Sequence, residues 1–138
     1  MILVDSSVWI DYFRGMTTPQ TCFLRDEADR STLVVGDLIL CEVLQGFRHN
    51  EERERARMLL LGFHYRDMVG QAVALEAAKN YSALRVRGIT IRKTIDVLIG
   101  TFCLRNGFAL LHADRDFDPL AEHLGLHVWR SPSGDGAT

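Results

Sequence analysis

The first nine residues, MILVDSSVW, join a short apolar segment directly to an aspartate and two serines. Residues Ile2 to Val4 are apolar throughout, as expected of a strand that is buried on both faces of a parallel sheet. Asp5, Ser6 and Ser7 offer side chains that cap a helix, and Gly15 is a suitable residue for the end of that helix. The chain is therefore predicted to begin as a buried strand that leads at once into a helix.

Short apolar segments and amphipathic segments continue to alternate as far as about residue 129. Further strands are predicted at 32–35 and 108–111, residues 62–68 fit a short strand or a turn, and residues 126–129 fit an edge strand. Helices are predicted at about 18–29, 37–47, 50–61, 71–87, 92–105 and 115–123. Strands separated by helices, rather than by hairpin turns, indicate an α/β fold with a parallel sheet covered on both faces.

Length and composition fit one globular domain. The 138 residues are 47% hydrophobic and 25% charged, and no apolar run reaches the roughly 18–20 residues of a membrane span. We assign residues 1–130 to the domain and expect the tail, 131–138, to be disordered. The N-terminus lacks a signal-peptide pattern. Three cysteines (Cys22, Cys41 and Cys103) lie among apolar neighbours, so we expect buried, reduced thiols and a cytoplasmic protein.

The net charge of −2 argues against a strong general nucleic-acid binder, but the basic residues are clustered. The first cluster consists of Arg48, Arg53, Arg55 and Arg57. It alternates with glutamates, which favours a solvated helix face with internal ion pairs. The second cluster consists of Arg85, Arg87, Arg92 and Lys93. No acidic residue lies between Glu76 and Asp96, so the second cluster is the better candidate for contact with a polyanion.

Four carboxylates stand at unusual places in this pattern. Asp5 directly follows the first predicted strand, and Asp114 comes three residues after the end of the strand predicted at 108–111, so both lie near the carboxyl edge of the sheet. Glu42 and Asp96 each interrupt an otherwise apolar helical segment. Each acid alone has an ordinary explanation, such as a helix cap, an ion pair or a charge near a helix N-terminus. Ligands of such sheets, however, bind at the carboxyl ends of the strands, where the strand order reverses.

Four negative charges close together cannot all stay ionised without a counter-charge. Mg²⁺ or Mn²⁺, which prefer oxygen ligands, would supply it. Zinc is disfavoured because only His123 and His127 are four residues apart, with Gly125 between them. Clusters of carboxylates around a metal suit the hydrolysis of phosphodiesters by an activated water. Glycine-rich phosphate loops and nucleophile–histidine patterns are absent from the sequence, so nucleotide-cofactor chemistry lacks support.

The segments that carry these acids resemble, in this order, the motifs of PIN-domain ribonucleases, particularly VapC-like toxins of type II toxin–antitoxin systems. They are MILVDSSVW (1–9), LCEVLQG (40–46), TIDVLIG (94–100) and LLHADRDF (110–117). The resemblance extends from residue 1 to about residue 129. It implies a three-layer α/β sandwich with a central parallel sheet of four or five strands flanked by helices.

The resemblance also implies a metal-dependent endoribonuclease that hydrolyses RNA with Mg²⁺ or Mn²⁺. Its catalytic, metal-binding carboxylates would be Asp5, Glu42, Asp96 and Asp114. Asp116 is an alternative to Asp114 as the fourth ligand, and Ser7 is expected to orient Asp5 or to contact a metal-bound water. The expected partners are RNA, a cognate antitoxin that reaches over the acidic cleft, and a second copy of the chain in a homodimer. The pattern does not distinguish one metal ion from two.

Two other functions fit parts of the pattern. A catalytically silent PIN-like module would bind RNA or protein, which the low net charge allows and the intact acidic set opposes. A receiver-like phosphoacceptor domain also clusters acids at strand ends, but it needs a lysine after a late strand. Lys79 and Lys93 are the only lysines, and neither follows a predicted strand.

Overall fold

A parallel sheet of four strands forms the centre of the protein in the computed structural model, which describes residues 1–132. The strands are β1 (Ile2–Val4), β2 (Leu33–Gly36), β3 (His64–Arg66) and β4 (Ala109–Leu111), in the order β3-β2-β1-β4. Leu3 of β1 lies beside Val34 on one side and Leu110 on the other. The strand order reverses beside β1, and such a reversal opens a crevice at the carboxyl ends of the strands.

Seven α-helices flank this sheet within residues 1–132. They are α1 (Ser6–Phe13), α2 (Pro19–Cys22), α3 (Asp37–Leu44), α4 (Asn50–Leu60), α5 (Gly70–Val86), α6 (Thr94–Asn106) and α7 (Asp118–Leu124). Crossovers between parallel strands are right-handed, so α1 to α4 lie on one face and the helices of the return to β4 lie on the other. Accordingly, α1 packs on α2 and α3, whereas α5 packs on α6 and α7. The predicted α/β sandwich is confirmed, with four strands.

Large side chains from both helical layers fill the core. Trp9 of α1, Phe102 of α6 and Phe117 are buried. The layer that contains α6 packs closely because Gly100 has no side chain: a Cβ there would lie 2.2 Å from Leu120 Cδ2 of α7. This contact ties α7 to the helix that begins beside the acidic residues. No helix among residues 1–132 is long and apolar enough to cross a bilayer.

Several local expectations differ from the structure. The segment expected to be a helix over 18–29 is the short helix α2 followed by a π-helical turn, Phe23–Glu27, which buries Leu24 and leaves three charged residues exposed. The expected helix over 115–123 begins as a 3-10 turn, and α7 starts only at Asp118, next to Pro119, which suits a first helical turn. Residues 126–129 contribute one bridge, between Leu110 and Val128, rather than a strand.

The expectation of three buried thiols is wrong for Cys41. All three cysteines are free; Cys103 is buried and Cys22 is half-buried, but Cys41 is exposed. It lies on the side of α3 away from Ile39 and Val43, the two residues of this helix that are buried. Of the tail expected to be disordered, residues 133–138 lie outside the described part of the chain.

Candidate metal centre

Asp5 is held at the carboxyl end of β1 by contacts to the neighbouring strand and to its own helix. Its backbone N–H donates to the carbonyl oxygen of Leu111, the last residue of β4, at 2.9 Å. Its Oδ2 accepts from the Ser7 amide at 3.0 Å and from the Ser7 hydroxyl at 2.6 Å, and so caps α1. The Ser7 Oγ also accepts from the Ala113 amide at 3.0 Å. Ser7 therefore orients Asp5 against the loop that follows β4.

Asp114 and Asp116 lie in that loop, where they are half-buried. The Asp114 Oδ1 accepts from the Asp116 amide at 2.9 Å and caps the 3-10 turn. The Asp114 amide donates to His112 Nδ1 at 3.1 Å. The imidazole of His112 thus fixes the start of the loop, a task that a hydroxyl group could also perform.

Glu42 and Asp96 reach the same edge from helices in opposite layers. Glu42 of α3 is half-buried, and its Oε1 accepts from the Ser6 hydroxyl at 3.1 Å. Asp96 lies in the first turn of α6 and is only 4% exposed. The sheet edge between the layers therefore receives acids from β1, α3, α6 and the loop after β4.

The ammonium group of Lys93 lies among three of these acids. Its Nζ is 3.1 Å from Asp114 Oδ2, 3.6 Å from Asp96 Oδ2 and 3.9 Å from Asp116 Oδ2. Each of the three carboxylates offers an oxygen within 4.8 Å of the others. Arg92 adds a weaker contact, 3.6 Å from Nη2 to Asp116 Oδ1. We call Asp96, Asp114 and Asp116 the outer carboxylates.

The pKa shifts separate the outer acids from those deeper in the site. Burial raises the pKa of Asp5 and of Glu42, and the charge of Asp5 adds to the shift of Glu42. Burial likewise raises the pKa of Asp96 to about 6. Burial also acts to raise the pKa of Asp114, but the Asp116 amide and the Lys93 ammonium outweigh it and hold this pKa below its usual range. We call Asp5, Glu42 and Asp96 the inner carboxylates, so Asp96 belongs to both sets. The charge of Lys93 acts to lower the pKa of Glu42 and of Asp96, but it does not outweigh their burial as it does at Asp114.

Two oxygens of the inner carboxylates accept no hydrogen bond from any residue in the range 1–132. They are Asp5 Oδ1 and Asp96 Oδ2, and both are buried. A buried polar atom without a partner is costly and calls for an explanation, such as an ion. Donors that are carboxylate oxygens suit hard divalent cations. The residues of this site therefore fit Mg²⁺ or Mn²⁺.

All five acids predicted from the sequence, with Ser7, meet at this one edge of the sheet. Sequence reasoning gave Lys93 no role beside the acids and considered Ser6 only as a helix-capping side chain. Lys93 stands three residues before Asp96, a spacing that brings side chains together at a helix start. This spacing is the sequence feature from which the contact between Lys93 and Asp96 could have been predicted. No comparable signal links Ser6 to Glu42, because they lie 36 residues apart.

Both basic clusters take part in ion pairs, because Arg92 and Lys93 of the second cluster contact the outer carboxylates. In α4, Arg57 pairs with Glu54 at 2.6 Å, so this face carries an internal ion pair. Arg85 and Arg92, by contrast, line a groove of about 540 Å³ between α5 and the start of α6. Within residues 1–132, no acidic side chain lines this groove. The guanidinium carbon of Arg85 lies 5.6 Å from the ring centre of Tyr81, which also lines the groove.

The fold and the site define an α/β domain with a cluster of carboxylates at the point where the strand order reverses. The family described as PIN domain matches residues 2–122, and the chain belongs to this family. Ribonuclease VapC11 from Mycobacterium tuberculosis is 32% identical over 133 residues, which cover 93% of this chain and 97% of that protein.

Solved structures agree with the fold. FitAcB from Neisseria gonorrhoeae superposes with a TM-score of 0.74 at 16% identity, covering 95% of this chain and 98% of the other. A toxin–antitoxin complex from Klebsiella pneumoniae gives a TM-score of 0.71 at 18% identity, with the same coverage.

Proposed function

We propose that this chain is a metal-dependent endoribonuclease, the toxin of a toxin–antitoxin pair, which hydrolyses RNA phosphodiester bonds. The observation that carries the proposal is the group of Asp96, Asp114 and Asp116 at the reversal of strand order. Asp5 and Glu42 lie near enough to interact electrostatically with this group, and one buried oxygen each of Asp5 and Asp96 accepts no hydrogen bond. A ribonuclease that is 32% identical over nearly the whole chain supports the same activity.

The inner carboxylates, Asp5, Glu42 and Asp96, would hold Mg²⁺ or Mn²⁺, with Asp114 or Asp116 at the outer side. When bound, such an ion stabilises charge on phosphate oxygens and lowers the pKa of a coordinated water. The chain's own contribution is to hold the donors in place. Ser7 orients Asp5, and the hydroxyl of Ser6 holds Glu42, so both carboxylates are positioned before any ion arrives.

RNA would approach along the groove that Arg85 and Arg92 line. Guanidinium groups bind phosphates in pairs of hydrogen bonds, and an aromatic ring such as Tyr81 can stack on an unpaired base. The groove leads to the outer carboxylates, because Arg92 also contacts Asp116. Unpaired RNA, whose bases are accessible, is therefore the substrate form that this surface favours.

An antitoxin partner is supported by the toxin–antitoxin complex among the structural neighbours. An arginine from such a partner would fit the unpartnered oxygens of the inner carboxylates. Apolar side chains exposed on α4, at its C-terminal end and on α5 offer surfaces for the antitoxin or for a second copy in a homodimer. They are Met58, Leu61, Leu75 and Val86. The proposed setting for such a pair is the cytoplasm.

Replacing Asp5 by asparagine tests the activity. Asparagine keeps an oxygen that caps α1 but removes the negative charge, so the domain should fold while cleavage of single-stranded RNA falls by at least about 100-fold. Asp29→Asn is the matched control, because Asp29 accepts from Ser31 in the same Asp-x-Ser arrangement at an exposed turn. Cleavage by the wild type should stop in a chelator and return with Mg²⁺ or Mn²⁺.

If folded Asp5→Asn protein cleaves RNA at the wild-type rate, the assignment is wrong. Binding of RNA without any metal-dependent cleavage by the wild type would instead favour a silent binding module.

A further inference from the structure

We propose that the ammonium group of Lys93 permanently fills one of two cation positions in the acidic site, so that the domain binds a single divalent ion. The proposal deepens the proposed function and rests on it in one respect, namely that the site takes a divalent ion at all. It concerns how many ions bind and which of the chain's own groups replaces the second.

Groups of the chain itself already contact the carboxylate oxygens of the outer position. Lys93 Nζ lies within 4 Å of an oxygen from each outer carboxylate, and the closest contact, to Asp114 Oδ2, is a hydrogen bond of 3.1 Å. The other oxygen of Asp114 accepts from the Asp116 amide. These three carboxylates are also the acids whose oxygens could surround an ion. The ammonium therefore fills the volume that an outer ion would need.

The inner position, between Asp5 and Asp96, has no such group of its own and shares Asp96 Oδ2 with the outer position. Asp5 is 3% exposed and Asp96 is 4% exposed, so water is largely excluded from both. The unpartnered oxygens, Asp5 Oδ1 and Asp96 Oδ2, face no donor within hydrogen-bond distance among residues 1–132. Lys93 Nζ, at 3.6 Å from Asp96 Oδ2, is too far to hydrogen-bond this oxygen well. An ion bound by Asp5 and Asp96 would give both oxygens a partner, and Asp96 Oδ2 would then lie between this ion and the Lys93 ammonium.

The local backbone keeps Lys93 beside the outer carboxylates. Lys93 is the residue before α6, and its carbonyl accepts from the Asp96 amide at 3.1 Å, which fixes the two residues in one turn. The backbone therefore holds the base of the Lys93 side chain next to Asp96, and the contacts of Nζ to the three outer carboxylates keep the ammonium group there. Lys93 remains part of the chain, whereas the inner ion would exchange with solvent.

The count of bound Mn²⁺ ions tests this inference. Titration of the metal-free protein, followed by the spin-resonance signal of free Mn²⁺, should give one bound ion per wild-type chain. Lys93→Met removes the ammonium but keeps the length of the side chain, and should raise the count to two. The double variant Lys93→Met, Asp114→Asn should return to one, because it removes an outer ligand as well. Lys79→Met, at the other lysine, should leave the count at one.

Two bound ions on the wild type, or one ion on folded Lys93→Met protein, would overturn the inference while leaving the proposed ribonuclease activity intact. If Lys93→Met does not fold, Lys93→Gln provides the same comparison with a polar side chain, and a count that stays at one again rejects the idea. Absence of both Mn²⁺ binding and metal-dependent cleavage in the wild type would reject the proposed function itself.

Cleavage provides a second readout. Lys93→Met should lose activity at Mn²⁺ concentrations that saturate the wild type and regain it at higher concentrations, as a second ion replaces the ammonium. A loss that no concentration of Mn²⁺ restores would contradict the exchange of one cation for another.

Discussion

Replacing Asp96 by asparagine should stabilise the metal-free protein, and the gain should depend on pH. Burial and the neighbouring carboxylates raise the pKa of Asp96 from its ordinary value of 3.8 to about 6, although Lys93 opposes the shift. The side chain is only 5% exposed, so solvent screens this penalty little. A shift of about two units corresponds to about 3 kcal/mol in the free energy of unfolding.

The sign follows from proton binding. The pKa of Asp96 is higher in the folded state than in the unfolded state, so between about pH 4 and pH 6 the folded protein binds more protons and loses stability as the pH rises. Asparagine has no charge to bury. The stability of Asp96→Asn relative to the wild type should therefore grow from near zero at about pH 4 to as much as about 3 kcal/mol above about pH 7.

Urea denaturation in a chelator, repeated over this range of pH, measures the difference. Asp29→Asn is the control, because Asp29 is exposed and its charge has no burial penalty to relieve. Adding Mg²⁺ should stabilise the wild type but not Asp96→Asn, so that the wild type becomes the more stable of the two proteins. A difference that stays constant with pH, or an Asp96→Asn protein that is less stable than the wild type above about pH 7, would refute the reasoning.

Two further predictions concern the support of the site. Ser7→Ala removes the 2.6 Å hydrogen bond to Asp5 and an acceptor for Ala113, and should cost about 1–3 kcal/mol in urea denaturation. The equivalent Ser31→Ala at the exposed Asp29 turn should cost less than about 0.5 kcal/mol, and equal costs would contradict a special role for Ser7. Gly100→Ala forces a Cβ to within 2.2 Å of the buried Leu120 and should destabilise the domain by about 1–2 kcal/mol, even after the gain in helix propensity. Gly46→Ala, whose Cβ would come no closer than 3.4 Å to its neighbours, is the control, and an equal or smaller loss at Gly100 would show that α7 can move away.

Much of the fold could be predicted because its rules are local. The apolar segment before Asp5, the capping residues after it and the alternation of strands with helices are properties of neighbouring residues, and the structure confirms them. Departures occur where distant packing decides, as in the π-helical turn after α2 or the exposed side of α3 that carries Cys41. Both features depend on contacts with residues that are distant in sequence.

The acids of the site and the sheet edge that they share could be predicted, but their individual contacts could not. By itself the sequence determines which acids follow strands or interrupt apolar helices, since the periodicity of strands and helices is a property of residues that are close in sequence. Only the tertiary structure decides that Lys93 contacts the outer carboxylates and that one oxygen each of Asp5 and Asp96 accepts no hydrogen bond. The reason is physical. Which groups form ion pairs or hydrogen bonds depends on distances of a few ångströms between side chains from β1, α3, α6 and the loop after β4. Those distances exist only after the sheet and both helical layers have packed.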